Sequence, residues 1–378
     1  MTLTKSLPPE LIERVLDLAV AIQQIPAPTF KENQRAMFVL EKFRSAGLHD
    51  TDIDATGNVY GRLPGASTRR PLVVSAHLDT VFPASTDLSL RRSPERIDGP
   101  GIGDNSVGVA GMFGLLWALQ ERPAAARLPG DLWLVANVGE EGLGNLRGMQ
   151  AVVNRFEAQP LVYLVLEGLA LGQVYHRGLA VRRYRISIST SGGHSWVDFG
   201  LPSAVHELAK LVTRLAALPL PARPRTTLNV GVIEGGTSVN TIAPTAHLEL
   251  DLRSESPQAL EELVSKVQGL VQNARRADIH ALIEPIGQRP AGRLPASHPL
   301  IQLARRCLEA QGLDATAAIG STDANEPLSR GYPSVCLGLT TGYGAHTLNE
   351  YIRIAPLRQG LQQLIMFVEG VFALKSSL

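Results

Sequence analysis

Three largely apolar runs, Leu72–Ala76, Leu132–Ala136 and Leu161–Leu166, each stop at a polar or charged side chain: His77, Asn137 and Glu167. Apolar runs without regular polar alternation fit strands covered on both faces. Helical patterns lie around them: Leu11–Ile22, Lys31–Ala46 (closed by Gly47) and Val107–Gln120. Asn58–Leu63 adds a further strand. Alternating strands and helices predict an α/β sheet with helices on both sides. Open sheets of that kind place their ligand sites at the carboxyl ends of the strands, where these polar residues stand.

After Gly178 the rhythm changes. Tyr184–Ser189 and His247–Leu252 alternate with period two, as half-exposed strands do. A helical pattern covers Val205–Leu218 and cannot pass Pro219-Leu220-Pro221. Thr227–Ile233 and Ile279–Ile286 read as strands, and Ser256-Pro257 opens a helix to about Arg275, with proline in the first turn. The order β-α-β-β-α-β is the split βαβ pattern of a small ferredoxin-like domain. The earlier rhythm then resumes with helix Pro299–Gln311, strand Ser334–Leu339 and helix Ala355–Leu374. A chain of 378 residues exceeds one ordinary core. The pattern divides it into a discontinuous larger domain, 1–178 with 290–378, interrupted by a smaller one at 179–289.

Charge excludes some partners. Lys and Arg total 36 against 35 Asp and Glu, so no broad field favours nucleic acid or anionic lipid. Met1–Glu10 has no apolar h-region, and no stretch reaches the ~20 apolar residues of a membrane span. The expectation is a cytoplasmic protein with neither a nucleic-acid nor a membrane partner. Cys307 and Cys336 occur without a CxxC or a multi-cysteine framework, and read as buried free thiols.

Five short segments carry the candidate chemistry: Ser75-Ala76-His77-Leu78-Asp79, Gly101-Ile102-Gly103-Asp104-Asn105, Gly139-Glu140-Glu141-Gly142, Leu166-Glu167-Gly168 and Gly344-Ala345-His346-Thr347. Residues two apart on extended backbone point the same way, so Asp79 can fix which ring nitrogen of His77 faces a metal. Glycines around Asp104 permit close backbone approach, and a carboxylate there can bridge two cations. A phosphate-cradling loop is disfavoured, because the third glycine of GxGxxG and the Lys-Ser/Thr of a P-loop are missing. Glu140 and Glu141 are adjacent and point apart, so one can ligate while the other faces water. Each segment alone also has a plain structural reading. His77 and His346 can be loop histidines, Asp104 a helix N-cap, and Glu140 with Glu141 a solvated pair. Their weight comes from four of the five falling at or just after strand ends of one predicted sheet. Nitrogen and oxygen donors without cysteine fit zinc, with manganese or cobalt as alternatives. Glu140 then stands outside the ligand set, placed to act on water, and such a site hydrolyses amide bonds.

With these segments in view, the chain resembles the cocatalytic dinuclear metallopeptidase family of carboxypeptidase G, peptidase T and aminoacylase. The resemblance spans nearly the whole chain. Besides the segments above it rests on Thr80-Val81, Asn240-Thr241-Ile242-Ala243-Pro244 and Ser321-Thr322-Asp323-Ala324. It implies a metallopeptidase catalytic domain with a mixed sheet flanked by helices, carrying an inserted ferredoxin-like α+β lid and dimerisation domain. It implies that Asp104 bridges two divalent ions, with His77 and Glu167 completing one ligand set and Glu141 and His346 the other. Glu140 would be the general base and Asp79 the orienter of His77. His194, in Ser191-Gly192-Gly193-His194-Ser195, and Asn240 resemble the family's substrate or oxyanion contacts, and Arg253 a substrate-carboxylate contact. His194 is expected to reach a partner subunit's site, so a homodimer through the lid is implied. Ser106 stands where members often carry lysine. Glu167 resembles the carboxypeptidases and deacylases, whereas the segment from Gly344 to Glu350 resembles peptidase T. The expected activity is exopeptidase cleavage of small peptides. An N-acyl amino acid deacylase and a non-catalytic dimeric binding protein on the same scaffold are the alternatives.

Overall fold

A nine-stranded mixed sheet organises the larger of two units in the computed structural model, which describes residues 7–123 and 127–374. The first six residues of the N-terminal stretch discussed above lie outside the described residues. The chain divides into a unit running to Gly178 and again from Gly292, and a second unit, Leu179–Ala291.

Parallel strands Gly130–Asn137, Arg69–His77, Tyr163–Glu167 and Ser334–Gly338 lie side by side at the centre of the larger unit's sheet. Register sets His77 opposite Asn137, Ser75 opposite Val165 and Glu167 opposite Gly338. The carboxyl ends of all four strands therefore reach one edge together. Val59–Leu63 and His49–Ile53 extend one side of the sheet in antiparallel fashion. Gln173–Gly178 and Gly292–Arg293 extend the other, with Thr316–Gly320 parallel to Gln173–Gly178.

Alternate residues of the central strands feed two cores. Leu72, Val74 and Leu134 face a large apolar layer, whereas Val73 and Val135 face Met149, Val152, Val153 and Phe156 of the helix Arg147–Phe156. That burial on both faces explains the unbroken apolar runs. The helix Val107–Gln120 is apolar on nearly every side because neighbours cover it nearly all round. It packs against Pro9–Gln23, Leu357–Ala373 and the strand Arg69–His77. With the turn before it, this segment is long and apolar enough to cross a membrane, but 89% of it is buried inside the protein. It is a core helix. Cys307 and Cys336 are both buried free thiols, and burial pushes Cys307 up to about 12.

The smaller unit is a four-stranded antiparallel sheet in the order Thr226–Gly235, Thr245–Ser254, Ala180–Ser189, His280–Arg289. Helices Ala204–Ala216 and Pro257–Gln272 pack on it. Leu208, Leu211, Leu263 and Val267 from the helices meet Ile186, Ile188, Leu248 and Leu250 from the strands. Chain order is strand-helix-strand-strand-helix-strand. Ser256 caps the second helix, its side chain accepting from the Ala259 N–H, with Pro257 in the first turn.

Two helical glycines face opposite circumstances. A Cβ on Gly360, in Leu357–Ala373, would stand 1.8 Å from the Leu339 carbonyl oxygen, whereas one on Gly269, in Pro257–Gln272, would meet nothing within 4 Å. Alanine is favoured over glycine in an open helix interior by roughly 0.5–1 kcal/mol, but forcing atoms into a packed contact costs about 1–3 kcal/mol. Gly269→Ala is therefore expected to raise the denaturant midpoint of its unit and Gly360→Ala to lower it. Equilibrium unfolding of the two variants checks the opposite signs.

Candidate metal centre

The strand ends and the loops after them bring seven side chains of the larger unit together: His77, Asp79, Asp104, Glu140, Glu141, Glu167 and His346. At their centre is the Asp104 carboxylate. One oxygen lies 3.0 Å from His77 Nε2 and the other 3.0 Å from His346 Nε2. His77 Nε2 is also 3.7 Å from Glu167 Oε2, and His346 Nε2 is 2.9 Å from Glu141 Oε1. Three overlapping groups have donor atoms within 4.8 Å of one another: His77 with Asp104 and Glu167, His77 with Glu140 and Glu141, and Asp104 with Glu141 and His346. Two of these groups, one buried to half-buried and one reaching the surface at His346, thus share the Asp104 carboxylate.

Local backbone explains how each group arrives. His77 ends its strand, and Glu167 ends the strand Tyr163–Glu167. Asp104 follows Gly101, whose φ of 76° turns the chain, and the backbone at Asp104 and Asn105 departs from helical values before Val107 starts the helix. Asn105 fastens this loop to the Glu167 strand: its Nδ2 donates to the Leu166 carbonyl at 2.8 Å and its Oδ1 accepts from the Gly168 N–H at 3.0 Å. His346 occupies a left-handed conformation, φ 66°, uncommon for a side-chain-bearing residue.

Asp79 acts differently from the sequence expectation. Its carboxylate is 3.6 Å from His77 Nδ1, and the ring nitrogen meets the Asp79 main-chain carbonyl instead, at 3.0 Å. That carbonyl accepts a hydrogen bond from Nδ1–H and so aims Nε2 at Asp104, the orientation a metal ligand needs. The carboxylate is drawn elsewhere, accepting the N–H groups of Glu140 at 3.0 Å and Glu141 at 2.9 Å, and the Thr29 hydroxyl at 2.9 Å. Asp79 is therefore the anchor of the two-glutamate loop as well as the brace of His77. Buried Arg35 supports the same turn by donating to the carbonyls of Leu78 and Ile25 at 2.7 and 2.6 Å. Burial lowers its guanidinium to about 10 against the pull of Asp79.

Electrostatics follow from this crowding. Burial disfavours charge on His77, but Asp104, Asp79 and Glu167 outweigh it and hold the imidazole well above its ordinary value. Burial likewise opposes ionisation of Asp104, yet His346 and His77 keep it well below the usual carboxylate range. Hydrogen bonds to Asp104 and Glu141 push His346 up to about 10. Burial raises Glu167 despite His77. Five carboxylates against two imidazoles leave an excess of negative charge, which bound metal cations would offset. The donor atoms are nitrogen and oxygen only. The set fits zinc, manganese or cobalt.

The other candidates lie in the smaller unit. Gly193–His194 pairs with Thr241–Ile242, and the Ser195 N–H donates to the Asn240 carbonyl at 3.0 Å, so His194 and Asn240 share one short ribbon. His194 Nδ1 accepts N–H groups from Trp196 and Val197 at 3.2 and 3.3 Å, which leaves the ring proton on Nε2. Arg253 is half-exposed and already paired, its Nε 2.6 Å from Asp251, which Arg183 also contacts.

Sequence reasoning gave no role to the supports of this site. Arg35 sits in an ordinary helical pattern, and Glu350 in a loop without periodicity. A third support is the buried pair of Asn137 and Asp323. Asn137 Nδ2 donates to Asp323 Oδ2 at 2.7 Å, while the remaining oxygens, Asn137 Oδ1 and Asp323 Oδ1, are buried without a partner. Burial pushes Asp323 up to about 7, against His77 and Asn137. The folded protein thus holds a proton that the unfolded chain, at the ordinary 3.8, has released. Stability from this group is present at low pH and is lost as pH rises from about 4 through about 7. Asp323→Asn, permanently neutral, is expected to gain stability relative to wild type across that window. Unfolding titrations of the metal-free proteins at stepped pH measure it; a difference flat with pH removes the assignment.

The family model of peptidase family M20/M25/M40 matches residues 73–369. The chain is 24% identical over 374 residues to the uncharacterised protein YqjE of Bacillus subtilis, covering 94% of this chain and 98% of that one. Its fold matches that of aminopeptidase PepT from Bacillus cereus, with a TM-score of 0.75 and 22% identity over 95% of this chain and 98% of the other. A tripeptidase from Staphylococcus aureus matches with a TM-score of 0.79 and 22% identity, over 96% of this chain and 99% of that one. The mixed sheet flanked by helices, the gathered carboxylates and the family match over most of the length together make this chain a member of peptidase family M20/M25/M40, and a hydrolase.

Proposed function

We propose that the protein is a metal-dependent exopeptidase for small peptides. In this reading Asp104 would be shared by two divalent cations, most simply zinc; His77 and Glu167 would help hold one, and Glu141 and His346 the other. The observation that carries it is the shared carboxylate, one oxygen 3.0 Å from each imidazole. One carboxylate divided between two imidazoles supports a reading with two neighbouring cation positions.

Divalent cations held there supply Lewis acidity and acidify water at neutral pH. Glu140, held by the bond from its N–H to Asp79, takes a proton from the attacking water and passes it to the leaving nitrogen. It ends each turnover unprotonated, with the acyl part released as carboxylate and the other part as amine. We read the smaller unit as a lid through which two copies pair. His194 and Asn240 would donate to the developing oxyanion, a contribution of roughly 3 kcal/mol per good donor. The proton on His194 Nε2 supports that role. Arg253 would meet a substrate carboxylate once released from Asp251. The near-balance of 36 basic against 35 acidic residues supports a substrate other than nucleic acid or an anionic membrane surface, and we read the protein as a cytoplasmic enzyme for small soluble peptides.

Chelator dialysis is expected to abolish hydrolysis, and zinc, manganese or cobalt added in turn to restore it. Glu140→Gln should keep both metals, measured by elemental analysis, while kcat falls about 10²- to 10⁴-fold. Normal turnover in that variant would reassign the base. A panel of free-amine tripeptides, blocked peptides and N-acetylated amino acids tests the substrate class. Cleavage confined to the N-acetylated amino acids replaces the peptidase reading with a deacylase.

A further inference from the structure

Glu350 lies four residues after His346 and is wholly buried. Its carboxylate faces the backbone of the loop that carries Asp104. Oε2 accepts the Gly101 N–H at 2.8 Å, and Oε1 accepts the N–H groups of Gly103 at 2.7 Å and Asp104 at 2.8 Å. Its main chain joins the same two segments, the carbonyl accepting the Gly99 N–H at 2.9 Å and the N–H donating to the Thr347 carbonyl at 3.2 Å. The left-handed Gly101 and non-helical Asp104 let the N–H groups of Gly101, Gly103 and Asp104 converge on one concavity, like a backbone nest that binds an anion. Here the acceptor in that concavity is the protein's own carboxyl group.

We infer that Glu350 is a positioning residue for the metal centre, holding the Asp104 loop and the His346 turn in the one arrangement that puts Asp104 between both imidazoles. The inference rests on reading Asp104 as the shared ligand. The loop between Gly101 and Asp104 is irregular, so these N–H groups lack helical acceptors. Removing the carboxylate frees the loop to turn Asp104 away, and a metal site tolerates only about half an ångström of such movement. Glu350 need never touch a metal or the substrate to act.

The test uses the full chain, stripped with chelator and titrated with zinc against a competing chelator. Wild type is compared with Glu350→Gln, Glu350→Ala and Glu326→Gln. Glu326 is a buried carboxylate of the same unit, paired with Arg330 at 2.6 Å, and serves as the stability control. Wild type is expected to bind two zinc ions. Glu350→Gln keeps the size and one acceptor oxygen but turns an NH2 group toward the nest; it should bind zinc roughly 10- to 100-fold more weakly, as outer-shell substitutions do. Glu350→Ala should be weaker again. Glu326→Gln should unfold more easily and bind zinc as wild type does. The visible spectrum of the cobalt-loaded proteins, which reports ligand geometry, should change in Glu350→Gln and not in Glu326→Gln.

Wild-type zinc affinity in folded Glu350→Gln overturns the inference. Equal weakening in Glu326→Gln also overturns it, because the effect is then general loosening. Where the alanine variant does not fold, the glutamine variant carries the test. Failure of the wild type to bind a zinc pair removes the metal-centre reading itself, an outcome distinct from either.

Discussion

Repulsion between carboxylates is the constraint to which the rest of this protein answers. Asp79, Asp104, Glu140, Glu141 and Glu167 converge at one edge of a sheet, where low solvent access makes like charges costly. The fold meets that cost with directed polar groups. Backbone N–H groups take up Asp79, two imidazoles take up Asp104, and Arg35 braces the turn beneath. The backbone N–H groups and imidazoles are short and stiff, and Arg35 is held by its burial and its bonds to two carbonyls. A rigid cage of acceptors results, with negative charge still in excess, and such a cage favours multivalent cations over monovalent or organic ones.

What could be read from the chain alone followed from burial. The runs Leu72–Ala76, Leu132–Ala136 and Leu161–Leu166 sit between two apolar layers, so their composition announces both strand and position. Residues at their ends could be placed because parallel strands finish together. Elements at the margins were less visible. His49–Ile53 is an edge strand of mostly polar, largely exposed residues, and Thr316–Gly320 is short, with Ile319 its one large apolar side chain, neither carrying a two-residue alternation. The helix Arg147–Phe156 does carry helical spacing in Met149, Val152, Val153 and Phe156, but over only ten residues.

The candidate ligands were legible because imidazoles and carboxylates near strand ends are few. Their supports were not. Glu350 acts through backbone N–H groups contributed some 250 positions earlier in the chain, with separations of 246 to 249 residues. No pattern of residue types records such a contact. Asp79 shows the same limit at short range. Its spacing from His77 was informative, but whether the carboxylate or the carbonyl faces the ring depends on the Glu140–Glu141 loop, which arrives from another strand.

The smaller unit enters the chain after Gly178 and leaves it before Gly292, and these two residues face each other on neighbouring antiparallel strands. Within the insert, the first and last strands are also neighbours, with Val181 opposite Arg289. An insert that has already folded therefore presents its two ends side by side. For the host sheet, a long and entropically expensive excursion of the chain becomes a short one, since closure entropy grows with the length of free loop. Early folding of the insert would leave the late strands from Gly292 onward a brief search for the sheet edge laid down by the first half of the chain.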